Sequence, residues 1–225
     1  CTMVLKPSKE APLNAFLLAD ILHDIGLPPG VFNLVSGHGS EVGELLSSHP
    51  DVDMVSFTGS TSAGIRVSQA AATTVKRVTL ELGGKSANVI LNDADVIRAA
   101  KSAIGACYQN SGQTCSALTR LIIPNSHKEE IIEIVSNRVK GYTPGDPLDE
   151  NTRCGPMVSK KQQQSVLSYI QSGIDEGAEL IAGGNGMPDG CNSGFFVQPT
   201  AFSNVTPDMK IWQEEIFGPV LVITT

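Results

Sequence analysis

Apolar positions along the chain repeat with two different periods, and the two alternate from the first residue onward. Thr2–Leu5 is a short apolar, β-branched run that Lys6-Pro7 ends. From Pro12 to Ile25 the residues Leu13, Phe16, Leu17, Ile21 and Ile25 recur at helical spacing, with Gly26 as the stop and Pro28-Pro29-Gly30 as a turn. The same reading predicts strands at Val31–Val35, Asp53–Phe57, Val75–Leu80, Ala87–Leu91 and Leu118–Ile123. It predicts helices at Ser40–Ser48, Ser62–Ala72, Asp95–Cys107, Lys128–Lys140 and Lys160–Glu176. Short strands separated by helices build parallel sheets with helices on their faces, so the expected class is α/β. In such folds ligands bind at the carboxyl ends of strands. The stretches Gly141–Pro156 and Gly183–Ser193 are rich in Gly, Pro, Asn and Asp, and are expected to be surface excursions rather than core.

Composition narrows the classes. With 225 residues and 41% hydrophobic content the chain can bury the core of one large domain or two modest ones. Its 16 Lys+Arg against 23 Asp+Glu leave a net charge of −7. That balance, without any basic run, argues against nucleic acid as a partner. No apolar stretch approaches the ~20 residues of a spanning helix, so no membrane partner is expected. The five cysteines are odd in number, contain no CxxC pair, and have no His within four residues. Disulfides and a zinc site are therefore not expected, and a reducing, cytoplasmic setting is. The default for each cysteine is a buried apolar thiol, with one exception considered below.

Four segments carry candidate chemistry. Ser36–Gly43 follows a strand and opens a helix, but its G-x-G-x-x-x-G spacing is one residue too long for a dinucleotide fingerprint and reads first as a tight turn. Phe57-Thr58-Gly59-Ser60-Thr61-Ser62-Ala63-Gly64 ends a strand with glycines and hydroxyls and then starts a helix. That is either an N-capped turn or a diphosphate site, since free N–H groups at a helix start attract anions. Glu81 stands between Leu80 and Leu82 before Gly83-Gly84-Lys85. Its leucine neighbours are expected to desolvate it toward general-base behaviour, although for this segment taken alone pairing with Lys85 or with backbone N–H groups is the leading explanation. Cys115 falls in the polar loop Asn110-Ser111-Gly112-Gln113-Thr114-Cys115-Ser116, where a thiolate nucleophile is plausible chemistry, whereas Cys107 lies on a helix and reads as packing.

Taken in order, Val4-Leu5-Lys6-Pro7-Ser8, Phe57-Thr58-Gly59-Ser60-Thr61, Leu80-Glu81-Leu82-Gly83-Gly84-Lys85-Ser86, Gly112-Gln113-Thr114-Cys115 and Glu214-Glu215-Ile216-Phe217-Gly218-Pro219-Val220 resemble the signature segments of the aldehyde dehydrogenase superfamily. Leu27–Asn33 and Gln198-Pro199-Thr200 are similar to it as well, so the resemblance covers the whole chain. It implies a Rossmann-like NAD(P)-binding domain, seen in its later part at residues 1–83. An α/β catalytic domain with a mainly parallel sheet would follow at 84–225, incomplete at its C-terminal end. It implies that Cys115 is the nucleophile that attacks an aldehyde and Glu81 the base that activates the hydrolytic water. Among cofactor contacts it implies Lys6, Ser60, Glu215 and Phe217, and the surrounding motifs add Ser8, Phe57, Gly59, Gly64 and Leu82.

One departure bears on the cofactor. Many NAD-preferring members carry Glu three residues after the motif lysine; this chain has Lys9 there, followed by Glu10. A cation at that place suits a 2′-phosphate, so NADP is expected to serve at least as well as NAD. The resemblance also implies a protein about twice this length, assembled as a homodimer or homotetramer, of which this is the central stretch. Two other readings stay open on sequence: a member that passes its acyl group to CoA, and a catalytically inactive piece that keeps the fold.

Overall fold

The structure, a computed structural model, describes residues 1–225 and divides into two compact units, Cys1–Leu82 and Gly83–Thr225. In the first unit, β1 (Met3–Leu5), α1 (Leu13–Asp24) and β2 (Phe32–Leu34) form one crossover, with β1 and β2 parallel. A π-type turn over Gly39–Gly43 leads into α2 (Glu44–Ser48), so the single helix expected at Ser40–Ser48 starts as a wider coil. Then β3 (Met54–Gly59), α3 (Thr61–Ala72) and β4 (Arg77–Leu82) make a second parallel crossover. Along β4, Val78, Leu80 and Leu82 are half-buried while Arg77, Thr79 and Glu81 are exposed, the period of two that a half-covered strand imposes.

The unit's own core is thin. Only Ala15, Ser47, Gly64 and Ala71 are buried, and the apolar row of α1 (Leu13, Phe16, Leu17 and Ile21) is exposed, as is Ile25 just after it. Gly64 is buried because α3 lies close on β4: a Cβ there would reach Leu82 Cδ2 at 2.6 Å.

The second unit is a five-stranded sheet covered on both faces. Its strands are β5 (Ala87–Val89), β6 (Arg120–Ile122), β7 (Glu179–Ala182), β8 (Thr200–Ser203) and β9 (Val220–Thr224), in the order β5-β6-β9-β8-β7. All neighbours are parallel except β7–β8. On one face α4 (Val96–Tyr108) and α5 (Lys128–Val139) pack Ile104, Tyr108, Ile131 and Val135 against Leu121, Leu221 and Ile223. On the other, α6 (Lys160–Asp175) and α7 (Lys210–Gln213) bring Val166, Ile170 and Ile211 against Phe202, Val220 and Val222. Alternate residues of β9 thus serve opposite cores, which is why it reads as an unbroken apolar run, Val-Leu-Val-Ile. Asp95 caps α4 by accepting the Arg98 N–H at 3.0 Å, and Ser159 caps α6 by accepting that of Gln162 at 3.3 Å.

Two expectations need correction. The irregular stretches are not wholly peripheral: Cys154 and Cys191 are buried within them, linked through Pro144, whose carbonyl accepts the Cys191 thiol at 3.7 Å. Cys1 departs from the buried default and is exposed. The last four elements, β7, β8, α7 and β9, lie beyond the last helix the apolar pattern predicts.

Candidate active site

The loop bearing Cys115 is shaped before the cysteine is reached. After α4, Asn110, Ser111 and Gly112 are all left-handed, with φ of 49°, 57° and 73°. Three such residues in a row persist only if held, since side chains disfavour that region. Asn110 is held by its own side chain, which donates to the Gln113 carbonyl at 3.1 Å. Ser111 Oγ donates to the Gly155 carbonyl at 3.0 Å and accepts the Cys154 thiol at 3.6 Å. Gln113 Oε1 accepts the Val158 N–H at 2.9 Å. From this anchored coil a turn runs from Thr114 to Ala117, closed by the Ala117 N–H on the Thr114 carbonyl at 3.1 Å, with Cys115 exposed at its corner. Buried Cys107 is a different thiol: desolvation pushes its pKa up to about 12, and burial likewise raises Cys154.

A second loop precedes β9. The Gln162 amide of α6 donates to the carbonyls of Ile216, at 3.3 Å, and Phe217, at 3.0 Å, while Phe217 itself is left-handed at φ 55°. Tyr169 donates its hydroxyl to Glu214 at 2.6 Å; its pKa is pushed up to about 12 by burial and by that carboxylate. Glu215 settles on Gly83-Gly84. One oxygen accepts the Gly84 N–H at 3.4 Å, and the other occupies the place a Cβ on Gly83 would take. Half-burial raises the Glu215 pKa, opposed by the Gly84 hydrogen bond and the nearby Lys85. The two loops touch, because Gly112 lies against the backbone of Gly218. The structure therefore brings together Cys115's loop, Glu215 and Phe217. Both loops precede their strands, so this cluster lies at the amino ends of β6 and β9.

Beneath the cluster lies Lys85, which the sequence reading weighed only as a partner for Glu81. It is buried, its Nζ has no hydrogen-bond partner, and desolvation lowers its pKa to about 8, with Cys107 and Glu215 opposing and Arg120 reinforcing. Arg120 stacks its guanidinium over Trp212 at 5.0 Å and keeps Nε buried without a partner. A Gly-Gly-Lys sequence after a strand is the one available signal for this residue. Gln162 and Tyr169 gave none, as polar residues on an amphipathic helix.

In the first unit the expected residues fall at strand ends. Ser60 caps α3, its Oγ accepting the Ala63 N–H at 3.3 Å and lying 3.2 Å from Ser62 Oγ. Gly59 packs under the Phe57 ring, where a Cβ would come to 2.5 Å. Parallel register sets Thr58 beside Glu81 and Gly59 beside Leu82. Leu82 meets Gly64, so both are accounted for by helix–strand packing. Glu81 corrects the expectation of desolvation: it is exposed, because Leu80 and Leu82 point to the other face of β4. Lys6 Nζ donates to the Pro7 carbonyl at 2.6 Å, and its stem runs past Gly43. Ser8 Oγ accepts the Glu10 N–H at 3.2 Å, and exposed Lys9 pairs with Glu10 at 3.5 Å.

A thiol on an exposed turn, braced beside a carboxylate loop in an α/β unit, defines a class of cysteine-bearing α/β protein. The model of the family described as "Aldehyde dehydrogenase family" matches residues 1–225, and the chain belongs to that family. It is 54% identical over 223 residues to a 3-succinoylsemialdehyde-pyridine dehydrogenase of a Pseudomonas species, covering 99% of this chain and 47% of that protein. It superposes on an aldehyde dehydrogenase of Bartonella henselae with a TM-score of 0.97 at 49% identity, covering 99% of this chain and 47% of that one. A variant of aldehyde dehydrogenase C from Pseudomonas syringae, crystallised with NAD+ and octanal, gives 0.97 at 50% identity, with coverage of 99% and 46%. The chain spans about half the length of the relatives it matches.

Proposed function

We propose that the protein, at its natural length, oxidises an aldehyde to a carboxylic acid with NAD or NADP as hydride acceptor. The observation that carries this reading is Cys115 at the corner of an exposed turn, braced from behind by Ser111 and Gln113. Family membership supplies the reaction class, and the octanal and NAD+ bound to the Pseudomonas syringae relative are of the same chemistry.

The residues present fit a dinucleotide. Ser60, Thr61 and Ser62 gather hydroxyls at the start of the 12-residue α3, where peptide N–H groups suit a diphosphate. Glu215 offers carboxylate oxygens to ribose hydroxyls, Phe217 an apolar face, and Lys6, Ser8 and Lys9 a polar segment for the adenosine side. The chemistry that a bound nicotinamide would supply is acceptance of a hydride from the substrate carbon.

The Cys115 thiolate adds to the aldehyde carbon and forms a thiohemiacetal; loss of hydride leaves a thioester on sulfur. Thiolate suits this step because it is strongly nucleophilic near neutral pH. Exposed Glu81 takes a proton from water as that water attacks the thioester, releasing acid and free thiol. The balance is aldehyde, water and oxidised cofactor in; acid, reduced cofactor and a proton out.

Reduced-nicotinamide absorbance with a panel of aldehydes, in the wild type and Cys115→Ala at natural length, tests the reading. Turnover is expected in the first and none in the second; turnover surviving in Cys115→Ala overturns it. Acyl transfer to added CoA in place of acid would replace hydrolysis by the acylating reaction.

A further inference from the structure

We propose that Gln162 is a positioning residue for the Glu215–Phe217 loop, an inference that rests on the reading of that loop as the cofactor's ribose clamp. Consecutive carbonyls of an extended chain point to opposite sides, so one amide reaches both only where the chain turns between them. Phe217, left-handed at φ 55°, provides that turn, and the two N–H bonds of Gln162 Nε2 go to the carbonyls of Ile216 at 3.3 Å and Phe217 at 3.0 Å. A non-glycine residue in that region persists when its surroundings over-determine it. Here the over-determination comes from α6: Gln162 on the carbonyls, Val166 filling the space beside Gly218, and Tyr169 on Glu214 at 2.6 Å.

The same helix start also holds the nucleophile loop. Immediately before α6, the Gly155 carbonyl accepts Ser111 Oγ at 3.0 Å and the Val158 N–H donates to Gln113 at 2.9 Å. Gly155–Gln162 is thus a brace with the thiol loop tied at one end and the carboxylate loop at the other. Gln162 is the tie at the carboxylate end, and it acts through main-chain atoms of Ile216 and Phe217.

Two variants separate shape from donation. Gln162→Glu keeps the side-chain outline but replaces both donors with acceptor oxygens facing carbonyls, and Gln162→Lys restores a donor of similar reach. Hydrogen exchange across residues 214–219, read on the protein at natural length, is expected to rise about tenfold or more in Gln162→Glu and to return toward wild type in Gln162→Lys. NAD and NADP affinity by titration is expected to fall about tenfold in Gln162→Glu, with the aldehyde KM within about twofold. Unchanged exchange in Gln162→Glu overturns the positioning role whatever the cofactor does. A wild type that binds neither NAD nor NADP overturns the ribose-clamp reading instead, and the exchange measurement still decides on Gln162.

Discussion

Gly112 and Gly218 meet backbone to backbone, and the contact leaves no room for a side chain on Gly112. Gly112 is left-handed at φ 73°, and a Cβ on it would overlap the Gly218 carbonyl; one on Gly218 would press into Val166. Gly112→Ala therefore combines left-handed strain of about 1 kcal/mol with a collision against main chain, which cannot rotate aside. The expected total exceeds about 3 kcal/mol, a fall in thermal midpoint of roughly 6–12 °C. Gly177, at φ 89° with nothing within 4 Å, is the control: Gly177→Ala carries only the strain. Equal losses in the two variants would show that the Gly112–Gly218 contact does not exist.

Thiol accessibility gives a second test. Cys1 and Cys115 are exposed; Cys107, Cys154 and Cys191 are buried. Burial also holds Cys107 near pKa 12, so at mild pH it has almost no thiolate to react. Brief iodoacetamide treatment of the native protein is expected to label Cys1 and Cys115, with the other three at least about a hundredfold slower until the chain unfolds. Peptide mapping by mass spectrometry reads the result. Native labelling of Cys107 at the rate of Cys115 would contradict the packing of α4.

Why some of this was legible and some not follows from the forces involved. Strand and helix positions through α6 could be read because burial on one face imposes a period, as in Val78, Leu80 and Leu82 on β4. Cys115 stood out because a thiol in a polar loop lacks a packing explanation. Glu81 misled because flanking leucines desolvate a residue only if they share its face, and in a strand they occupy the opposite one. Lys85, Gln162 and Gly112 depend on partners 50 or more residues away, or on having none, and no local pattern encodes that. The same is true of the meeting of the Cys115 and Glu215 loops at the amino ends of β6 and β9, which depends on contacts far apart in sequence.

Lys9 offers a test of cofactor choice. It is exposed and bound only to its neighbour Glu10, at 3.5 Å, a surface pair worth little and easily exchanged for a phosphate. If it faces a 2′-phosphate, Lys9→Glu is expected to lower kcat/KM for NADP by about tenfold and to leave NAD use within about twofold. Steady-state kinetics with both cofactors on the protein at natural length decides it. NADP use that survives Lys9→Glu, or wild-type preference for NAD by a wide margin, would remove Lys9 from the cofactor site.

Lys85 makes the stability of the second unit depend on alkaline pH. Its folded pKa is about 8 against an ordinary 10.5, chiefly because burial disfavours the ammonium. Between those values the unfolded chain holds more protons than the folded one, so stability rises with pH across the window and the penalty is complete below about pH 8. That penalty is about 2–4 kcal/mol. Lys85→Met keeps the apolar stem and discards the buried, unpartnered amine. It is expected to be the more stable protein at pH 7 by about that amount, with the gap closing as pH approaches 10. Denaturant titrations of both proteins at pH 7, 8.5 and 10 read the gap directly. A gap that stays constant over that range, or a wild type more stable at pH 7, would mean that the Lys85 ammonium has a partner in the folded chain after all.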